Sequence, residues 1–521
     1  MNRDLMIKNL KSKSQEWDVI VIGGGATGIG TALEAVTRGY KTLLLEQEDF
    51  AKGTSSRSTK LVHGGVRYLA QGNISLVMEA LRERGLLIQN APHLVKNLEF
   101  VVPNYVWWRG PYYTIGLKIY DMMAGKLGFG STIHISKKKV LKLMPNLKTE
   151  DLKGGIIYRD GQFDDSRLAI NLVQTFTENG GIAINYCKVT GLLKNEAGSV
   201  EGVSAIDTES GEFFDIKSKA VVNATGVWAD DILKMDDPKT KKTVMPSQGV
   251  HIVLDKCFME GKIAMVIPKT SDGRVLFILP WHNKVIIGTT DTMVENASLE
   301  PRAFEQEIDF ILETAGRYLT KSPQRSDVKS IYAGLRPLVA PSRDDEATKE
   351  ISRGHKIMVG ISGLVTIIGG KWTTYRKMGQ DTIDKIAMVA NLDSRDCITK
   401  TMSIHGYMED VDFDDPLYFY GSDISHIKLM ATEDDEFEKK LHKDLDYINA
   451  QVIWAVREEM ARTVDDVLAR RLRALFLDAR AAIEAAPKVA EIMAKELNKD
   501  EVWIHQQVEK FKSIAKGYSL P

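Results

Sequence analysis

A glycine-rich turn between an apolar strand and a helix, near the start of this 521-residue chain, constrains its fold most strongly. The stretch reads DVIVIGGGATGIGTALEAVTRGYKTLLLEQ. Gly23, Gly25 and Gly28 have the G-x-G-x-x-G spacing, which permits a tight turn, a close approach to a pyrophosphate, and packing of the following helix on the strand. The helix expected over 26–38 directs its positive end at that phosphate. Glu46 lies 18 residues after Gly28, near the roughly 20 expected for the carboxylate that binds a ribose hydroxyl, so the segment predicts a dinucleotide-binding unit.

Two later segments complete the predicted dinucleotide-binding domain. KAVVNATGVWAD places an apolar strand before an Ala-Thr-Gly turn, a combination that resembles two-dinucleotide flavoproteins. HKIMVGISGLVTIIGGKWTTYRKMGQDTIDKI has two short strands, two glycines, and a helix with Tyr375, Met378 and Ile383 on one face. Because three separated pieces build one domain, the chain between them is expected to form a second domain inserted into the first.

The polar and cationic stretch TSSRSTKLVHGGVRYL, residues 54–69, follows the second strand of this unit. It therefore leaves the carboxyl edge of the sheet, where open α/β sheets bind ligands. We expect its hydroxyls and Lys60 to contact phosphate and ribityl oxygens, and Gly64 and Gly65 to let the backbone pass a flat ring. A solvated loop with a helix cap is the alternative, since Ser and Thr favour such places.

Composition excludes several functional classes. Apolar residues make up 44% and the net charge is −1, so this is a folded protein without the global basic field that recruits nucleic acid. Cys187, Cys257 and Cys397 are odd in number and scattered, which supports neither a disulfide framework nor a zinc site and fits a reducing cytoplasm. The N-terminal stretch has no signal-peptide pattern. No run reaches the roughly 18 apolar residues of a spanning helix, so we expect that the chain does not cross a membrane; binding to a membrane surface is left open.

These motifs together closely resemble the FAD-dependent (aerobic) glycerol-3-phosphate dehydrogenases, within the glycine-oxidase-like (DAO) flavoprotein superfamily. The resemblance runs from about residue 17 to 385, with a looser match beyond. The chain departs from the family pattern at Arg57, where a small residue is usual. The blocks that carry the resemblance are VIGGGATGIG, LLLEQEDFAKGTSSRSTKLVHGGVRYL, YRDGQFDDSRL, ATGVWAD, SQGVHIVL, IGTTDT, AGLRPL and GGKWTTYRK.

The resemblance and the segments together predict an α/β FAD-binding domain of the two-dinucleotide-binding, glutathione-reductase-like type. They add an inserted antiparallel β-sheet substrate domain and a C-terminal α-helical domain, with VLFILPWHNKVIIGTTD expected to form a hairpin in the inserted sheet. The expected ranges are 17–105, 155–235 and 355–400 for the FAD-binding domain, 106–154 and 236–354 for the substrate domain, and 401–521 for the helical domain.

Apolar residues at helical spacing mark the C-terminal domain. Thr463 and Asp466 have the spacing of a capping box, with Asp in place of the usual Glu. A helical apolar face is expected from Val464, Val467, Leu468, Leu472 and Leu475.

The resemblance implies oxidation of sn-glycerol 3-phosphate to dihydroxyacetone phosphate, by hydride transfer from C2 to flavin N5. It implies His251 as the base, Arg336 as a contact to the reacting oxygen or the phosphate, and Lys371 near flavin N1. From the residue alone, a packed strand histidine is an open alternative for His251. Arg67, Tyr68 and Arg353 are expected to complete the substrate site.

The resemblance also implies tightly but non-covalently bound FAD. The three cysteines fall outside the recognised cofactor motifs, and His63 is the nearby candidate for a covalent link. The expected cofactor-binding residues are Gly23, Gly25, Ala26, Thr27, Gly28, Glu46, Gln47, Thr54, Ser55, Ser56, Lys60, Leu61, His63, Gly64, Gly65, Ala224, Thr225, Gly226, Gly370, Lys371, Trp372 and Thr373.

Members of the family pass electrons to a membrane quinone, so we expect a cytoplasmic protein bound peripherally to the inner face of the cytoplasmic membrane. NYVWWRGPYYTIGLKIYDMMAGKLGFG, residues 104–130, combines aromatic and cationic side chains and is the candidate membrane contact. A core-facing segment of the substrate domain is the alternative. A homodimer is left open. The alternatives are a glycerol-3-phosphate oxidase that uses oxygen, another amine or amino-acid oxidase of this superfamily, and a flavin-binding scaffold or redox sensor without catalysis.

Overall fold

The structure is a computed structural model that describes residues 1–11, 16–65, 69, 72–106, 109–268, 270, 273–340 and 354–520. In chain order its strands are β1 (Trp17–Ile22), β2 (Thr42–Leu45), β3 (Leu61–Val62), β4 (Val95–Asn104), β5 (Ile133–Ser136), β6 (Gly154–Phe163), β7 (Ile182–Ile184), β8 (Cys187–Lys194), β9 (Val200–Asp207), β10 (Phe213–Asn223), β11 (Val244–Asp255), β12 (Ala264–Ile267), β13 (Leu276–Trp281), β14 (Lys284–Gly288), β15 (Thr292–Met293), β16 (Val328–Val339), β17 (His355–Val359) and β18 (Val365–Gly369).

The α-helices lie on the faces of the sheets and fill the C-terminal region. None of those in the described ranges is both long and apolar enough to cross a membrane. They are Arg3–Lys11, Ala26–Thr37, Ile74–Asn90, Arg109–Ala124, Lys137–Leu143, Asp165–Glu178, Ala229–Asp236, Glu305–Tyr318, Tyr375–Val389, Ile424–Ala431, Asp435–Glu438, Asn449–Glu458, Ala474–Leu477, Ala479–Leu497 and Glu501–Ala515.

The first sheet has the order β17-β18-β10-β1-β2-β7 and is parallel from β18 to β7. Residues of its central strand are almost fully buried, as expected for a parallel strand covered on both faces. Helices Ala26–Thr37 and Tyr375–Val389 pack so closely that a Cβ added at Gly379 would lie 2.5 Å from the carbonyl oxygen of Gly30. The βαβ unit predicted from the glycine-rich turn is therefore confirmed.

The second sheet has ten strands in the order β15-β11-β14-β13-β12-β4-β6-β3, with β16 paired to β11 and β5 paired to β6. It is antiparallel apart from the β12–β4 pair. The predicted hairpin is present as β13 and β14. Its two turn residues, His282 and Asn283, both have left-handed backbone conformations with φ of 43° and 58°, which suits the twist of a tight hairpin.

Two strands lie in a different layer from the one predicted. We expected the dinucleotide-binding domain to include residues up to 105 and to resume at 155, but β4 and β6 belong to the second sheet. β6 pairs with β4 along its length and with β5, and β4 pairs with β12. Their long apolar runs are compatible with either sheet, and only the pairing partners decide between them.

The C-terminal region is helical in its described part, and the five apolar residues predicted for its inner face are all fully buried. The capping box is confirmed, since the side chain of Asp466 accepts from the Thr463 amide and its own amide donates to Thr463 Oγ1. The helix is not continuous, however. A π-helical turn occupies Asp466–Arg471, and Arg473 has a left-handed backbone with φ of 61° before the next helix begins.

Buried ion pairs attach this C-terminal region to the dinucleotide-binding domain. The Asp49 carboxylate, fully buried just after β2, accepts from Arg470 Nε at 2.6 Å and from Arg471 Nη1 at 2.7 Å. Burial opposes the charged form, but the two guanidinium groups outweigh it and hold the pKa of Asp49 at about 2. Arg470 also binds Asp465 and Asp466. Each buried charge thus depends on partners from another segment.

Asp49→Asn should destabilise the protein strongly, because it leaves two buried guanidinium groups with too little compensating charge. Removing one partner of a buried ion pair costs about 3–5 kcal/mol. The matched control is Asp414→Asn, whose partner Lys262 is 80% exposed in a surface pair; it should change the free energy of unfolding by less than about 1 kcal/mol. Urea denaturation followed by circular dichroism measures both. Equal stability of the two variants would show that the Asp49 cluster does not hold the domains together.

Candidate active site

A large cavity of about 550 Å³ lies where the two sheets meet. Its walls come from the glycine-rich turn, the segment after β2, the start of β8, the Ala224–Met235 region, β11, β16 and the turn after β18. Every cofactor residue predicted from the sequence lines this cavity except five, and the three predicted catalytic residues line it as well. The exceptions are Gly28, Ser56, Lys60, Gly64 and Gly65.

The glycine-rich turn forms one end of the cavity. Gly23 has φ of 110°, a conformation that other residues rarely adopt, and Gly25 caps the Ala26–Thr37 helix. A Cβ added at Gly28 would lie 1.8 Å from the carbonyl oxygen of Gly23, so this glycine lets the helix pack against the turn rather than line the cavity. The first turn of the helix carries no acidic residue. The helix end therefore faces the cavity as an anion-binding site.

Glu46 stands at the end of β2, beside the same turn. Its carboxylate accepts from the Gly24 amide at 2.6 Å and from the Glu48 amide at 2.8 Å. Burial raises the pKa of Glu46 to about 7, although both amide bonds favour the charged form. The backbone of Cys187 is hydrogen-bonded to that of Glu46, so this cysteine lies beside Glu46 in the wall of the cavity.

The stretch 54–65 crosses the cavity floor, and its hydroxyls bind protein groups. Ser55 Oγ accepts from the Ala26 amide at 2.9 Å, and its carbonyl accepts from the Trp372 indole at 2.8 Å. Thr54 Oγ1 donates to the Leu335 carbonyl. The stretch therefore connects the helix N-terminus, the turn after β18 and the second sheet.

Lys60 does not contact the cavity, and the prediction that it binds phosphate is wrong. Its ammonium group is fully buried and lies 2.7 Å from both oxygens of Asp165. It also lies over the rings of Trp281, Tyr332 and Phe476. A buried ammonium group needs a carboxylate partner, and here Asp165 is that partner. The local sequence around Lys60 gives no sign of this pairing.

Three more predicted cofactor residues serve packing. Ser56 is buried, and its carbonyl accepts from the Lys60 ammonium. The Gly64 amide donates to Tyr120 Oη at 2.7 Å, and a Cβ at Gly64 would lie 2.6 Å from both Tyr120 and Leu81. Gly65 has φ of 74° and does not line the cavity. None of the three lines the cavity, and their contact with the cofactor remains a prediction.

Arg57, the departure from the family pattern, is also buried. It binds Glu300 Oε2 at 2.8 Å and Tyr518 Oη at 3.0 Å, and it donates to the Leu299 carbonyl. Although burial opposes its charge, Tyr518 and Glu300 raise the pKa of Arg57 above its ordinary value. It therefore joins the cavity floor to the segment before the Glu305–Tyr318 helix and to Tyr518 near the end of the chain.

His251 lies on β11, with its ring 2% exposed. Its Nε2 is 2.9 Å from Thr59 Oγ1, and its ring stacks on Tyr332 with centroids 4.8 Å apart. On the neighbouring strand, Gly288 leaves room for the ring, because a Cβ there would lie 2.3 Å from His251 Cδ2. Burial, and then the positive charge of Arg336, lower the pKa of His251 well below its ordinary value. The ring is therefore neutral and can accept a proton.

Arg336 lies on β16, in register with Ser247 on β11. Its Nη1 is 3.2 Å from Asp291 Oδ1, and its Nη2 donates to the Thr290 carbonyl at 3.1 Å. Gly249 is required beneath it, since a Cβ there would lie 2.4 Å from the Nη2 atom. About a third of its side chain remains exposed. The guanidinium is thus held against the sheet with part of its surface toward the cavity.

Lys371 follows Gly369 and Gly370, whose φ values of 78° and 76° require glycine. It precedes the short helix Trp372–Thr374 and lines the cavity with His63. Burial, and to a smaller extent the charge of Lys371, lower the pKa of His63, while Asp160 opposes them. The site therefore contains a cation and a neutral histidine close to each other.

Arg67, Tyr68 and Arg353, predicted to bind substrate, lie outside the described residues. Other residues of the site were missed from sequence. Asp291 in IGTTDT holds Arg336, Gly249 in SQGVHIVL makes room for it, and Thr59 contacts His251. Each lies in a sequence block that carries the family resemblance, and membership of such a block could have identified it as a site residue.

Family models match two parts of the chain. One described as FAD dependent oxidoreductase matches residues 18–376, and one described as the C-terminal domain of alpha-glycerophosphate oxidase matches residues 365–503. The mitochondrial glycerol-3-phosphate dehydrogenase of Mesocricetus auratus is 40% identical over 96% of this chain and 73% of that protein. The Schizosaccharomyces pombe enzyme of the same name is 37% identical over 99% of this chain and 89% of that protein.

The chain is also similar to solved structures of related flavoproteins. The glycerol-3-phosphate dehydrogenase from Bacillus halodurans, complexed with FAD, superposes with a TM-score of 0.81 at 31% identity, covering 99% of this chain and 97% of that one. The L-alpha-glycerophosphate oxidase of Mycoplasma pneumoniae, with FAD bound, has a TM-score of 0.56 at 16% identity over 74% of this chain and 98% of that one. That second likeness shows a shared fold alone.

Gly28→Ala should abolish retention of the dinucleotide, because the added methyl group would lie 1.8 Å from the Gly23 carbonyl oxygen and displace the turn. Gly116→Ala, in a helix with open space around the added atom, is the matched control and should retain a full complement. Acid precipitation followed by absorbance of the released flavin measures occupancy per chain. A Gly28→Ala protein with normal flavin content would contradict the assignment of the cradle.

Proposed function

The chain belongs to the FAD-dependent glycerol-3-phosphate dehydrogenase family, and on that premise we propose that it oxidises sn-glycerol 3-phosphate to dihydroxyacetone phosphate. Its cofactor is FAD. The observation that carries the proposal is that His251, Arg336 and Lys371, from three distant segments, line one cavity with the glycine-rich cradle. A flavin-binding scaffold would need the cradle without this arrangement of base and cations.

The residues of the cavity fit FAD. Gly25 and the N-terminus of the Ala26–Thr37 helix would hold the pyrophosphate, and Glu46 would hold the ribose. Lys371 would be the cation that stabilises the reduced ring. When bound, FAD would supply the two-electron acceptor for the hydride of substrate C2. We propose non-covalent binding, because Cys187 lies beside Glu46, the residue that would hold the ribose; His63 is the remaining candidate for a link.

His251 would accept the proton of the C2 hydroxyl. Its ring is neutral because burial lowers its pKa, so a lone pair is available before substrate arrives. The stacked Tyr332 and the space left by Gly288 hold the ring in one orientation. Because the His251 ring is buried, bulk water is kept away from the nitrogen that would accept the proton.

Arg336 would bind the reacting oxygen or the substrate phosphate. A guanidinium presents several fixed donors, and Asp291 and the Thr290 carbonyl orient it without covering it. From the family pattern we carry over Arg67, Tyr68 and Arg353 as further substrate contacts. The substrate phosphate, a dianion near neutral pH, requires such charge-assisted hydrogen bonds.

We further propose that electrons pass to a membrane quinone and that the protein binds the inner face of the cytoplasmic membrane peripherally. On the Arg109–Ala124 helix, Ile115, Ile119 and Met122 are 62%, 46% and 80% exposed, at positions that share one face. Lys118 is exposed on the same helix. Apolar and cationic side chains together suit a lipid surface. No observation here favours oxygen as the acceptor instead.

Glycerol should fail to reduce the flavin under conditions in which glycerol 3-phosphate reduces it. The reason is that the proposed site uses arginine side chains to bind the phosphate, and glycerol lacks it. Anaerobic bleaching of the flavin absorbance measures both reactions, and reduction by dithionite shows that the flavin itself is competent. Similar rates with the two compounds would refute the assignment of an anion pocket.

His251→Asn should retain FAD while slowing flavin reduction by roughly a hundred- to ten-thousandfold, the range of a well-placed general base. His134→Asn, at an exposed position on β5, is the matched control and should behave as wild type. Arg336→Lys should weaken binding as well as rate, because an ammonium group cannot reproduce the guanidinium donors. Stopped-flow absorbance measures all three. If His251→Asn stays within a few-fold of wild type, His251 is not the base.

A further inference from the structure

We propose that the Thr59 hydroxyl is a further catalytic residue, which carries the proton from the substrate hydroxyl to Nε2 of His251. This inference rests on the proposed function, in which His251 is the base. We expected the hydroxyls of residues 54–69, which include Thr59, to contact phosphate and ribityl oxygens, and Thr59 was not among the predicted catalytic or substrate-binding residues. The structure places it in the wall of the cavity, with its hydroxyl oxygen 2.9 Å from Nε2 of the buried histidine.

The enclosure of His251 is the first observation. Tyr332 covers one face of the ring, and the backbone of Gly288 lies close to its Cδ2 edge. Nδ1 is buried and makes no hydrogen bond with any residue in the described ranges. A proton from the cavity must therefore arrive at Nε2, and the group already bound there is Thr59 Oγ1, at 2.9 Å.

The position of Thr59 is the second observation. It lines the cavity and is only partly buried, whereas His251 is 2% exposed. Its hydroxyl has no second hydrogen-bond partner among the described residues, so an oxygen lone pair remains for a substrate hydroxyl. Thr59 thus has one partner in the protein and one side open to the cavity.

The third observation is that the backbone around Thr59 is held rigidly. On one side, Ser58 donates from its amide and its hydroxyl to Asp165, at 3.1 and 2.7 Å. On the other side, the Lys60 ammonium binds both oxygens of the same carboxylate. All of Asp165 is buried. This double attachment keeps the Thr59 hydroxyl on Nε2 without using that hydroxyl for its own anchoring.

The proton of the substrate hydroxyl reaches His251 in two coupled transfers. The O–H bond of the substrate C2 hydroxyl breaks and its proton binds Thr59 Oγ1, while the Thr59 hydroxyl proton passes to His251 Nε2. The Thr59 hydroxyl is thereby restored, and His251 becomes the imidazolium. The C2 hydride leaves to the cofactor as already proposed, so the substrate loses one proton and one hydride. These two transfers require that Nε2 of His251 be unprotonated at the start, with the ring proton on Nδ1.

Thr59→Val, which is close in shape but lacks the hydroxyl, should slow flavin reduction by at least about tenfold, within the range of general acid–base catalysis. Thr59→Ser keeps a hydroxyl and should stay within about fivefold of wild type. Binding of dihydroxyacetone phosphate, measured by flavin spectral titration, should change less than about threefold in both. The double variant Thr59→Val/His251→Asn should be no slower than His251→Asn alone, since both changes interrupt one transfer.

A second readout does not depend on turnover. Selective ¹⁵N-histidine labelling, with His251→Asn for assignment, reports which ring nitrogen of His251 carries the proton. We expect Nε2 to be unprotonated in the wild-type holoenzyme. A proton on Nε2 would overturn the relay even if Thr59→Val lost its flavin and could not be assayed.

The two hypotheses fail separately. A His251→Asn enzyme of nearly normal rate would remove the base, and with it the relay. A slow His251→Asn enzyme beside a Thr59→Val enzyme within threefold of wild type would remove the relay alone. Additive slowing in the double variant would likewise show that Thr59 acts independently of His251.

Discussion

The buried ion pairs of residues 49–60 are the interaction on which the rest of the structure depends. This short segment connects β2 to β3 and forms the floor of the cavity. Four of its charged side chains are almost completely removed from water, and each is neutralised by a group from a distant part of the chain. They are Asp49 with Arg470 and Arg471, Lys52 with Glu300 and Asp465, Arg57 with Glu300 and Tyr518, and Lys60 with Asp165.

Such pairs are poor sources of net stability, because desolvation offsets most of their attraction. Their effect is specificity. A buried charge that loses its partner is strongly unfavourable, so the floor segment is compatible with one relative placement of the two sheets and the C-terminal helices. That placement brings β11 and β16, which carry His251 and Arg336, to the same cavity that Glu46 lines. The cationic stretch thus assembles the site more than it contacts ligands.

Much of this arrangement could be predicted from local sequence, and the errors have physical reasons. The glycine-rich unit, the β13–β14 hairpin and the capping box at Thr463 follow from short-range geometry, and all three were predicted correctly. β4 and β6 were assigned to the wrong layer, because an apolar strand does not indicate which strand it pairs with. Lys60 was expected at a phosphate, because a lysine in a polar stretch gives no sign of a buried carboxylate 105 residues further along the chain.

The sequence by itself determined the chemistry that is available: a dinucleotide cradle built from glycine spacing, and His251, Arg336 and Lys371 as groups able to accept a proton or bind an anion. The cradle follows from contacts within a few residues, whereas the three side chains were identified through the family resemblance. Only the tertiary structure decided which of these groups share a cavity, that the Thr59 hydroxyl contacts His251 Nε2, and that Asp291 orients Arg336. Strand register and the pairing of buried charges depend on contacts between residues far apart in sequence, which no local pattern specifies.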